Sequence, residues 1–91
     1  MKFKGTKGPW QTVRSNRVIY VESKDHVLIA ELDNIKTKGF EQATPSAVYH
    51  NAKLIESAYE LLEFAIEMVR RYPNSPWIAE QGTEAIKKAT E

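Results

Sequence analysis

Ninety-one residues, 42% hydrophobic and 27% charged, suffice for one domain with a modest core and are too few for two. The chain has no cysteine. That excludes disulfide staples, thiolate metal ligands and a cysteine nucleophile, and makes a reducing compartment, the cytoplasm, the expected location.

The net charge of +1 is unevenly placed: residues 1–40 balance to +4 and the remainder to −3. Such polarity can orient a partner or a second copy, but it is too small to argue for nucleic acid by itself. The basic start lacks the apolar stretch of a secretory leader, and no apolar run approaches the roughly 18 residues that span a bilayer. No membrane association is expected.

Residues 1–8, rich in Lys and Gly, read as a flexible basic arm, and residues 9–91 as a single α+β domain. Gly8-Pro9 punctuates the start of a sheet. Runs at about 10–14, 17–22 and 27–32 are rich in Val, Ile and Tyr, as strands are. With two-residue turns at Ser15-Asn16 and Lys24-Asp25, they form a three-stranded antiparallel meander. Side-chain alternation puts Trp10, Thr12, Ile19, Val21, Leu28, Ala30 and Leu32 on one face, the expected core side. The other face carries Gln11, Val13, Val18, Tyr20, Glu22, Val27, Ile29 and Glu31. Five of those are apolar: Val13, Val18, Tyr20, Val27 and Ile29 form a surface that soluble monomers seldom expose.

Thr44-Pro45-Ser46 is a helix start, with a hydroxyl for the cap and proline where its missing N–H costs nothing. The helical period then continues to Tyr72. Leu54, Ile55, Ala58, Leu61, Leu62, Ala65, Ile66, Met68, Val69 and Tyr72 fill about half the wheel, the half expected to lie on the sheet. Glu67 and Arg71 are spaced to pair. Pro73-Asn74-Ser75-Pro76 ends this helix and begins a second over about 76–89. Gly82 lies in the second helix's apolar stripe, where it permits close approach to the long helix.

The chemistry-bearing residues are few. His26, beside Asp25, reads as a turn residue in solvent, although an Asp-His pair is in principle a base and its orienter. His50 has no second ligand three or four residues away, and no glycine-rich loop follows a strand. No catalytic, cofactor-binding or metal-binding residue is assigned, and no enzyme activity, cofactor or small-molecule substrate is expected. Asn51 falls within the apolar arc, where a buried amide needs a partner. The favoured reading is a structural anchor pinning a loop or strand end; a ligand contact is the alternative. Phe64 stands on the polar side of the helix, free to receive the second helix or a partner chain.

Three stretches carry a resemblance: Gly8-Pro9-Trp10 before the meander, Asn51-Ala52-Lys53-Leu54-Ile55-Glu56-Ser57-Ala58-Tyr59-Glu60-Leu61-Leu62, and Glu84-Ala85-Ile86-Lys87-Lys88-Ala89-Thr90. Together they make the chain similar to a family of small phage and prophage proteins of uncharacterised function. Those proteins pair a short meander with an Asn-Ala-x-Leu-Ile helix and close with an Ala-Ile-x-Lys-Ala helix. The family commonly has proline where this chain has Tyr59, so an unbroken helix is expected here.

The resemblance carries no catalytic motif and implies a phage-related accessory acting in the host cytoplasm through surface recognition. The expected partner is the protein itself or another protein. A two-fold dimer covering the outer sheet face, or the C-terminal helix folded over it, accounts for the five apolar residues. The alternative is a nucleic-acid-binding accessory using Lys2, Lys4 and Lys7 with Phe3, Trp10 and Tyr20.

Overall fold

The computed structural model describes residues 2–16, 18–33 and 38–91. Three strands, β1 (Trp10–Ser15), β2 (Val18–Ser23) and β3 (Leu28–Leu32), form one antiparallel sheet in the order β1-β2-β3. A 27-residue helix, α1 (Pro45–Arg71), crosses the sheet. A π-helical turn (Ile78–Gly82) then leads into a short helix, α2 (Thr83–Thr90). The chain is therefore α+β: a three-stranded meander with one long and one short helix.

α1 begins as its sequence requires. The Thr44 hydroxyl accepts a hydrogen bond from the Ala47 amide at 3.1 Å, and Pro45 occupies the first helical position. With Tyr59 in place of a proline, every backbone donor of the middle turns is kept, and the helix runs unbroken.

The sheet pairs Val13 with Tyr20 and Ser15 with Val18. The first turn therefore lies one residue later than the Ser15-Asn16 expected, and Asn16 holds a φ of 53°. Moving both sides of a turn together shifts the pairing by two, so each side chain stays on its face. The second turn does change a face. Val21 pairs with Ala30 but Glu22 with Leu28, which leaves Ile29 as the extra residue of a bulge. Leu28, expected in the core, shares the outer side with Glu22 and is exposed.

Ser23 anchors this second turn. Its side chain is buried, and its hydroxyl accepts from the amides of Asp25 (3.3 Å) and Val27 (3.1 Å).

Residues 2–8 are tied to the domain, not detached from it. The Phe3 ring packs edge-on against both Trp10 and Tyr59, and the Trp10 indole N–H donates to the Thr6 carbonyl at 3.1 Å. Gly8 lies so close to Tyr59 that a Cβ there would stand 2.4 Å from its ring. The expected arm is thus folded back onto α1 by aromatic packing that hydropathy along the sequence does not reveal.

The core is small. Among the described residues the buried apolar side chains are Val21, Val48, Ala52 and Ile86. α1, at 1.5 Å per residue, is about 40 Å long, whereas a six-residue strand spans about 20 Å. The sheet therefore covers only the first half of α1: Arg14 lies over Tyr49, the Thr12 amide donates to Glu56, and Trp10 meets Tyr59. The π turn and α2 pack on the second half, with Gly82 against Val69.

Neither cover reaches the whole apolar arc expected to be buried. Leu54, Leu61 and Tyr72 face outward, at 64%, 53% and 50% exposure. Ile55, Leu62, Ala65, Ile66, Met68 and Val69 of that arc are partly covered as expected, and on the sheet half the inward strip is Val48, Ala52, Ile55, Tyr59 and Leu62.

Candidate functional site

Two surfaces and one cleft hold the side chains with unspent binding capacity. On the outer sheet face, Val13, Val18 and Tyr20 stand among Gln11, Ser15, Glu22 and Glu31. Val13, Val18, Tyr20 and Ile29 are each partly covered, while Val27, at the turn into β3, is 47% exposed. α2 packs against α1, so the expectation that it might fold over the sheet gives way to a helix–helix contact. The reason is Gly82, which lets the segment settle on Val69.

The second surface is richer in exposed apolar area. Beyond Leu54, Leu61 and Tyr72 it includes Phe64 at 63% and Trp77 at 74% exposure. Phe64 and Trp77 both line a groove of about 320 Å³, with Ala65, Met68 and Val69 along α1 and Ile78 from the π turn. Wider coiling at the π turn fits a segment that must also seat Gly82 on Val69. Phe64 was marked by the sequence; Trp77 was not, although a tryptophan just after the proline of a helix start is the available signal.

Asn51 is exposed, so its proposed role as a buried anchor does not hold. The helix is rotated so that Val48 and Ala52 point inward, which carries Asn51 to the same side as Leu54 and Ala58. His50 is likewise exposed, its ring edge-on to Tyr49. His26 sits at a φ of 63° in the second turn, exposed, with Nδ1 3.4 Å from the Glu22 carboxylate.

The cleft, of about 740 Å³, opens between the first hairpin and the start of α1, bordered by Arg14, Asn16, Ile19, Ser46, Val48 and Tyr49. The Arg14 guanidinium lies 4.2 Å from the centre of the Tyr49 ring, a cation–π contact that occupies the most basic group of the cleft.

Charges on α1 are largely paired with each other. Glu67 accepts from Arg70 and Arg71, and the Arg70 hydrogen bond is the main reason its carboxyl titrates below the ordinary range. Lys53 similarly holds Glu56 low, helped by the Thr12 amide. Phe3 and Trp10, the aromatics nearest the basic start, are packed on Tyr59 and not displayed together as a stacking platform. Among the described residues no group of three or more His, Asp or Glu is placed to hold a metal ion, and no helix is long and apolar enough to cross a membrane.

These features define a small α+β domain with an apolar ridge along its long helix. Residues 1–91 match the family described as Salmonella phage P22 protein Y8K6, and the chain belongs to that family of phage proteins. No curated protein and no solved structure matches it.

Proposed function

We propose that this phage protein is a non-catalytic interaction or assembly accessory, which binds another protein surface through the ridge of α1 and Trp77. The observation that carries this reading is the run of large exposed apolar side chains along α1 and into the segment that follows it. Leu54, Leu61, Phe64, Tyr72 and Trp77 are each at least half exposed, and large apolar side chains left exposed together mark interaction sites. The C-terminal part of the run is aromatic, and aromatic residues are among the types that dominate binding energy in protein interfaces. The outer sheet face, with Val13, Val18, Tyr20, Val27 and Ile29, offers a smaller and better covered second surface.

The experiment is affinity capture from phage-infected host lysate, with wild type, Phe64→Glu and Tyr20→Glu as parallel baits. A defined set of proteins held by wild type and Tyr20→Glu but lost with Phe64→Glu, at unchanged far-ultraviolet circular dichroism, is the expected result. Identical sets from all three baits remove the ridge from consideration. Binding that is instead dominated by nucleic acid, and weakens steeply with salt, would favour the basic N-terminal half.

A further inference from the structure

We propose that the ridge is self-complementary and pairs two copies of this chain through antiparallel α1 helices, an inference that rests on the protein-binding reading above. Leu54, Ala58, Leu61 and Ala65 follow one another at spacings of four, three and four residues, the seam of a coiled coil. This seam is separate from the inward strip of Val48, Ala52, Ile55, Tyr59 and Leu62, so α1 carries one apolar line for its own sheet and another that is left outside. Along the outer line large and small residues alternate.

That alternation decides the orientation. In a parallel pair each residue meets its own copy, which stacks leucine on leucine and leaves alanine facing alanine across a gap. In an antiparallel pair with the two-fold axis between Tyr59 and Glu60, Leu54 meets the second copy's Ala65, and Leu61 meets its Ala58. Every layer then joins one large side chain to one small one, the interdigitation that close packing requires. Ala65 lines the same groove as Phe64 and Trp77, so each copy supplies Leu54, 64% exposed, to fill the other's groove. Asn51, exposed in the single chain, continues the seam one heptad before Ala58 and stands at its end, opposite the second copy's Met68.

The area is sufficient. An aromatic side chain contributes 150–250 Å², so the exposed parts of Phe64, Tyr72 and Trp77 with the two leucines come to roughly 600 Å² per chain. Complete cover of these five side chains on both copies would bury about 1,200 Å², which reaches the lower bound of stable interfaces.

Sedimentation equilibrium of the full chain at high micromolar concentration should report a dimer, and Leu61→Glu should weaken it by roughly a hundredfold or more while the far-ultraviolet spectrum stays unchanged. Because the chain has no cysteine, mixing Ala58→Cys with Leu61→Cys under mild oxidation should give the mixed disulfide in excess over either homodimer. A monomeric wild type, or a Leu61→Glu variant as dimeric as wild type, overturns the pairing; an excess of the Ala58→Cys homodimer overturns its antiparallel sense. A monomeric wild type whose captured proteins are still lost with Phe64→Glu would end the pairing and leave the protein-binding reading standing. A monomer whose captured set is indifferent to Phe64→Glu would end both.

Discussion

Glu56 joins the two layers of the fold through donors from both. Its carboxylate accepts from the Thr12 amide of β1 at 2.7 Å and pairs with Lys53 one turn back on α1. The Lys53 hydrogen bond is the main reason its pKa lies below the ordinary 4.5; burial opposes it, and the Thr12 amide adds a smaller lowering effect. A carboxyl that binds its proton more weakly when folded adds stability above the unfolded pKa and loses it as pH falls through the folded one. Glu56→Gln should therefore cost about 1 kcal/mol at neutral pH, and the difference from wild type should shrink below the ordinary carboxylate range. Urea midpoints measured across that range test the sign; a gap that widens in acid contradicts it. The Thr12 side chain adds a further, smaller lowering of the Glu56 pKa.

At the scale of elements, what was legible in the sequence was what depends on near neighbours. Thr44-Pro45 marks the start of α1, Tyr59 keeps it unbroken, and Pro73 to Pro76 separates it from the second helical segment. The outward rotation of Leu54, Leu61 and Asn51 was not legible. Which part of a wide apolar arc is covered depends on how long the strands are and where the C-terminal segment lands, both non-local facts. The bulge at Ile29 was hidden for a related reason: Ser23 closes the turn with its side chain, and alternation alone assumes that strands pair without an extra residue.

Gly82 makes the non-local constraint measurable. A Cβ there would stand 2.6 Å from Val69 Cγ2, and a β-branched neighbour yields little. Gly82→Ala gains about 1 kcal/mol of helix propensity but incurs an overpacking cost of about 1–3 kcal/mol, so a net loss near 1 kcal/mol should appear in urea denaturation. A raised midpoint would show that α2 shifts freely on α1.

For the molecule as a whole, so few buried apolar side chains supply limited stability, and surface that finds cover on association adds to it. If two copies pair, the folded state gains by mass action, and the melting temperature should rise with protein concentration. Differential scanning calorimetry over a hundredfold concentration range would detect this, and Leu61→Glu should make the melting temperature constant. A wild type with no concentration dependence counts against association of any geometry.

The uneven placing of the sheet along α1 has a consequence for reach. Strands sit over one half of the rod and not the other, so an antiparallel pair would offset its two meanders along the rod by about half a helix length, on the order of 20 Å. The two outer sheet faces would then be carried on separate halves of the particle, both outside the seam, so Tyr20→Glu should leave the pairing intact.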